Sequence, residues 1–182
     1  MSQPPDLNLV LAECKQFPSN FETLYIASCN AAGEPEASYA AYIGQDGCYY
    51  IYTSELSAHT NNLAETGRCS VLFIESETDA KHLFARRRLT LQCQATECRR
   101  DCAEFESLMK RFVEKFGNFM GMLRKLDDFH LYQLRPESGA YVAGFAQAFT
   151  LSGEGLNEIK HRKEKGHRSP DKATTAAMDV LA

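Results

Sequence analysis

Apolar and polar positions alternate in short runs over much of the chain, and one long stretch switches to a spacing of three and four residues. Thr23–Cys29 and the runs 36–43, 48–53 and 69–74 are rich in β-branched and aromatic residues, and they read as strands. Asn30-Ala31-Ala32-Gly33 and Gly44-Gln45-Asp46-Gly47 lie between the first three and supply the positive-φ positions that tight hairpins need. These three strands form a meander. Ala58–Thr66 follows, polar with a helical leucine spacing and stopped by Gly67, and reads as one short helix.

Before the first strand, residues 8–20 read as a short helix ending near Phe17-Pro18. After the link 75–85, the run 86–97 alternates Leu89, Leu91, Cys93 and Ala95 on one face and reads as a strand. Over 99–126 the spacing is helical, with Phe105, Leu108, Met109, Phe112 and Phe116 as a core stripe and a break at Gly117. Strand pattern returns at 129–134 and 140–142 around a predicted turn at Pro136-Glu137-Ser138-Gly139, and again at 148–151. Seven or eight strands without strand–helix alternation predict a mainly β domain with helical insertions, closed into a small antiparallel barrel that hides its edges. The expected organisation is a helical segment over 1–20, a barrel domain over 21–152 with a helical insertion at 99–126, and a basic tail over 153–182.

Charge sharpens the picture at that tail. The chain carries 24 Asp and Glu against 20 Lys and Arg, a net charge of −4. Yet Lys160-His161-Arg162-Lys163-Glu164-Lys165-Gly166-His167-Arg168 gathers five basic residues and two histidines around one acid. A local cluster of this kind invites an anionic ligand or a metal, whereas the acidic whole argues against nucleic-acid binding. No apolar run reaches the roughly 20 residues that cross a bilayer, and no secretory signal pattern opens the chain, so a cytoplasmic protein with no membrane partner is expected. Seven cysteines without paired spacing read as reduced thiols packed as small hydrophobes.

Four segments carry a resemblance. They are Ser57-Ala58-His59-Thr60-Asn61-Asn62-Leu63, Ala80-Lys81-His82-Leu83-Phe84-Ala85-Arg86-Arg87-Arg88-Leu89-Thr90, Leu126-Asp127-Asp128-Phe129, and Gly144-Phe145-Ala146-Gln147-Ala148 followed by Gly166-His167-Arg168. In this order, over roughly residues 20–168, the chain resembles the HutZ/HugZ haem-utilisation proteins of the pyridoxamine-phosphate-oxidase-like, FMN-binding split-barrel superfamily. The resemblance implies a split antiparallel β-barrel, a homodimer, haem bound near the subunit interface, and oxidative haem degradation fed by an external electron donor. It also implies that His167 ligates the haem iron and that Asp128 supports that ligand. Imidazole is a common haem ligand, and its other ring nitrogen is usually fixed by a carboxylate or carbonyl.

The resemblance makes Arg88 the candidate for the reacting face. Arg86, Arg168 and His59 are candidates for contacts with the bound group, since an arginine fork suits propionates. Arg86-Arg87-Arg88 opens the strand 86–97, so Arg86 and Arg88 share one side and Arg87 the other. Flavin-binding relatives hold the FMN phosphate with basic and hydroxyl residues at the end of the third strand and in the helix after it. Here Ser54, Ser57 and Thr60 supply hydroxyls, but His59 and Asn61 stand where cations are usual. Three readings are therefore open: a haem-degrading oxidoreductase, an FMN-dependent oxidoreductase, and a haem carrier without turnover.

Overall fold

The computed structural model describes residues 5–162, so His167 and Arg168 lie outside the described residues. Eight strands are present among them: β1 (Thr23–Cys29), β2 (Pro35–Gln45), β3 (Cys48–Ser54), β4 (Arg68–Ile74), β5 (Arg88–Glu97), β6 (Phe129–Gly144), β7 (Gln147–Ser152) and β8 (Glu158–His161). The helices are α1 (Leu7–Gln16), α2 (Ala58–Thr66), α3 (Phe105–Phe116) and α4 (Asn118–Leu123). The sheet order is β3-β2-β1-β4-β5-β6-β7-β8, and a further β3–β6 pairing closes the first six strands into an antiparallel barrel. Closure removes the exposed edges that the alternating pattern would otherwise leave.

The chain divides into two compact units. One comprises residues 21–71 and 92–136. In it, β1 sends Leu24, Ile26 and Ser28 inward and leaves Thr23, Tyr25 and Ala27 outside, as a period of two requires. The β2–β3 hairpin turns through Asp46 and Gly47, both at positive φ (51° and 75°), the pair that a two-residue turn matched to strand twist demands. Amphipathic α3 buries Phe105, Leu108, Met109 and Phe112 against Ile43, Tyr50, Tyr52 and Leu131. Gly117 ends α3 at φ 80°, where a side chain would be strained.

The other unit comprises residues 1–20, 72–91 and 137–182. Its core gathers Phe17, Phe73, Leu89, Leu91, Tyr141, Phe149 and Leu151. The rings of Phe17 and Tyr141 meet edge to face at 5.7 Å, and the Tyr141 hydroxyl donates to Glu13 Oε1 at 3.0 Å. Burial, then the Glu13 carboxylate, pushes the Tyr141 hydroxyl pKa up.

Three sequence expectations are corrected. The predicted turn at 136–139 is absent, because β6 runs unbroken through it as a strand of 16 residues. Pro136 falls between Leu134, the last residue paired with β3, and Gly139, the first paired with β7. A residue that cannot donate is tolerated where a strand changes neighbours. Gly139 is there for space: a Cβ would lie 2.9 Å from Leu91 Cδ2 and 3.2 Å from the Thr90 carbonyl. Second, β5 starts at Arg88, so strand alternation does not place Arg86 and Arg87. Third, 158–161 of the basic tail forms β8, pairing Phe149 with His161 and Leu151 with Ile159.

Candidate functional site

The end of β3 and the start of α2 form a corner in which short polar side chains replace backbone pairing. Asp128 arrives here just before β6. Ser54 Oγ donates to Asp128 Oδ2 at 2.8 Å and accepts from the Leu56 amide, while the Glu55 amide donates to the Asp128 carbonyl at 2.9 Å. Both the carboxylate and its backbone are thereby held. Among the described residues, Oδ1 of this half-buried carboxylate has no hydrogen-bond partner.

From Ser54 the bonding continues inward. Thr60 Oγ1 donates to the Ser54 carbonyl at 2.6 Å, which commits its only proton. The Thr53 hydroxyl, 2.9 Å away, must then donate to Thr60 Oγ1. Thr53 therefore has only lone pairs for His59 Nε2 at 2.7 Å, so His59 carries its proton on Nε2. This assigns the tautomer from the bonding. His59 is buried and its Nδ1 has no partner among the described residues, so a proton there would be stranded. Burial accordingly lowers the His59 pKa from its ordinary 6.5, outweighing the opposing field of Glu36.

A second histidine lies two residues beyond Asp128 in contrasting surroundings. His130 Nδ1 meets Glu97 Oε1 and its Nε2 meets Glu55 Oε1, both at 2.8 Å. A carboxylate oxygen accepts, so this arrangement favours a ring that donates from both nitrogens, the imidazolium form. The Glu97 hydrogen bond raises the His130 pKa above 6.5, against partial burial, and the Glu55 bond adds to it. Beside it opens a cavity of about 320 Å³ lined in part by Glu97, Arg100, Phe105, Asp127 and His130.

Arg86, Arg87 and Arg88 belong to the other unit. The Arg86 guanidinium donates to the Glu75 carbonyl from Nε (2.9 Å) and Nη2, and pairs with Glu77 at 3.4 Å. Arg87 pairs with Glu75 at 3.0 Å and with Glu13 at 3.7 Å. Arg88 donates from Nη1 to the Arg86 carbonyl at 3.1 Å and, of the three, has no carboxylate partner among the described residues. His161, the other tail histidine, packs on Phe149 with ring centroids 4.9 Å apart and planes tilted by 34°, its Nε2 3.3 Å from the Ala146 carbonyl.

The structure thus joins His59 to the Asp128 corner, and it places Arg86 and Arg88 in a separate unit. Sequence reasoning missed Thr53, Glu55, Glu97, Arg100 and His130. Only His130 left a local signal, a histidine on the strand that Asp128 opens. The hydroxyls of Ser54 and Thr60 were noticed as phosphate partners, yet both are engaged within the corner. All seven cysteines are free, and burial pushes the Cys98 thiol to about 11, far from a reactive thiolate. Among the described residues no cluster of His, Cys, Asp and Glu could hold a metal ion, and no helix is long and apolar enough to cross a membrane.

The pyridoxamine 5'-phosphate oxidase family pattern matches residues 10–143. Heme oxygenase HutZ of Vibrio cholerae serotype O1 is 38% identical over 156 residues, which span 86% of this chain and 88% of that protein. The crystal structure of HutZ from Vibrio cholerae, called there a heme storage protein, superposes with a TM-score of 0.65 at 36% identity, over 69% of this chain and 89% of that one. Campylobacter jejuni ChuZ superposes with a TM-score of 0.80 at 28% identity, over 92% of this chain and 68% of that one. Barrel closure, element order and these likenesses agree, and the chain belongs to the HutZ/HugZ family of the pyridoxamine 5'-phosphate oxidase-like split-barrel proteins.

Proposed function

We propose that this protein binds haem and opens the porphyrin ring oxidatively, releasing iron, with electrons from an external cytoplasmic reductant. The observation that carries the reading is the Asp128 carboxylate, held by Ser54 through one oxygen and leaving the other for a donor outside the described residues. In a chain so similar to a heme oxygenase, the donor we assign is the imidazole of His167, which would hold the haem iron. Bound haem iron supplies the oxygen and redox chemistry. The chain's own residues bind and orient. Asp128 fixes the imidazole's ring plane and makes it more electron-rich, as a carboxylate on a metal-bound histidine does. Arg88, without a carboxylate partner among the described residues, offers a fork to a propionate or to the reacting face. Arg86 is largely committed to Glu75 and Glu77, which leaves Arg88 and Arg168 the better propionate partners. His59 stays neutral and contributes by holding the corner through Thr53.

The flavin alternative fits the corner poorly. A phosphate at the end of β3 would meet the Asp128 carboxylate on Ser54, a Thr60 hydroxyl already donating to a carbonyl, and a neutral His59. None of these is a cation, and a phosphate carries close to two negative charges. We also propose a homodimer. Tyr25 and Tyr39 face each other across β1 and β2 at 55% and 66% exposure, beside the exposed pair Ala27 and Ala37, and such an outward apolar face favours a covering partner.

Titrating purified protein with haem should give a Soret band of ligated haem, and His167→Ala should lose its ligand signature. Ascorbate under air, with catalase present to remove free peroxide, then parts enzyme from carrier. Progressive loss of the Soret band with iron release supports degradation. An intact band over many hours leaves a haem carrier, the reading that the name heme storage protein gives the Vibrio structure. A yellow protein that ignores haem sinks both. Light scattering of the full chain tests the dimer, and Tyr25→Arg with Tyr39→Glu should yield monomers.

A further inference from the structure

Two basic side chains grip the segment that carries Asp128, one at each end. Arg100, in the link between β5 and α3, donates from Nη1 to the Arg124 carbonyl at 2.8 Å and from Nη2 to the carbonyls of Leu126 and Phe129. Its Nη2 also lies 3.4 Å from the Tyr52 hydroxyl, and its guanidinium stands 5.8 Å from the Phe105 ring centroid. One planar fork therefore spans the backbone on both sides of Asp127 and Asp128. A lysine ammonium has the charge but not the fork. At the other end His130 bridges Glu97, at the end of β5, to Glu55. Glu55 is shared: its carboxylate holds His130 while its amide donates to the Asp128 carbonyl.

We propose that Arg100 and His130 are positioning residues for Asp128, which fix the backbone from 124 to 130 so that the carboxylate keeps one orientation toward the imidazole that would hold haem. The inference rests on the role assigned to Asp128 above. Neither side chain needs to touch haem. Arg100 places three of its five N–H donors on carbonyls of this segment, and both nitrogens of His130 face carboxylates.

Two measurements on the full chain decide it. In the haem-free protein, hydrogen exchange of the Glu55 amide reports whether it still meets the Asp128 carbonyl. Arg100→Lys and His130→Gln should each speed that exchange roughly tenfold while the central amides of β3 and β6 keep their wild-type rates. In the ferrous haem complex, both variants should move the iron–histidine stretching band in the same direction as Asp128→Asn and by most of its amount. Combining Arg100→Lys with Asp128→Asn should move it no further. Faster exchange with an unmoved band makes the grips merely structural and overturns the proposal, as do unchanged exchange and band. An effect in one variant alone overturns the role of the other residue. If Arg100→Met shifts the band and Arg100→Lys does not, charge at a distance is the cause and positioning fails. If Asp128→Asn itself leaves the band in place, the assigned role of Asp128 fails first and that of its holders with it, so the two failures are told apart.

Discussion

His59 and His130 both lie near the Asp128 corner, and they have been put to opposite uses. His59 is buried on α2, bonded to a hydroxyl, and held neutral. His130 lies on β6 at 27% side-chain exposure between two carboxylates, which favour its charged form. The same side chain takes either state according to whether its neighbours are neutral acceptors or anions. One region gains rigidity by satisfying every proton in a low-dielectric interior, the other by pinning two strands and a turn with one histidine ring.

The sharpest way to break the buried side is Thr53→Val. It strands the His59 Nε2 proton in the interior and should cost about 2–3 kcal/mol in urea denaturation. His59→Leu should cost less, because Thr53 keeps its donation to Thr60 and the unpartnered Nδ1 disappears. If His59→Leu proves the more damaging, the proton assignment is wrong. On the charged side, Glu97→Gln removes one of two charge-assisted bonds and should cost about 1 kcal/mol near neutral pH, part of it lost to solvent screening.

The two histidines should also tilt stability in opposite directions with pH. The folded His59 pKa lies below 6.5, so as pH falls below that value the unfolded chain takes up a proton that the folded chain refuses, and stability drops. The folded His130 pKa lies above 6.5; its contribution is complete below 6.5 and is lost as pH rises through the raised value. Imidazole NMR should find the two midpoints on either side of 6.5, and coincident midpoints would end the comparison. The smallest effect is expected at Arg99, whose pairing with Asp101 joins two exposed side chains. Arg99→Ala should leave the unfolding midpoint unchanged, as isolated surface pairs usually do.

Much of this fold was legible because its signals are local. Alternation in β1, the Asp46-Gly47 turn, the Gly67 stop of α2 and the Gly117 break each lie within a few residues of what they control. The turn wrongly expected at 136–139 shows the limit: Pro and Gly there answer to a change of neighbouring strand and to Leu91 and Leu151, remote in sequence. Strand β8 was hidden by its charge, since Glu158 and Lys160 read as solvated tail. Asp128 and His59 could be named from the order of motifs. The bonding between them could not, because Ser54 and Asp128 are 74 residues apart.

The proton order in that corner has one more consequence. Each hydroxyl points the same way, from His59 through Thr53 to Thr60, and the last donates into a peptide carbonyl. A carbonyl oxygen accepts a hydrogen bond but has no proton to hand on. In electrical terms the corner is an insulator: it ties His59 to Asp128 mechanically while keeping their protons separate, so the protonation state of the buried ring is not passed on to the Asp128 carboxylate.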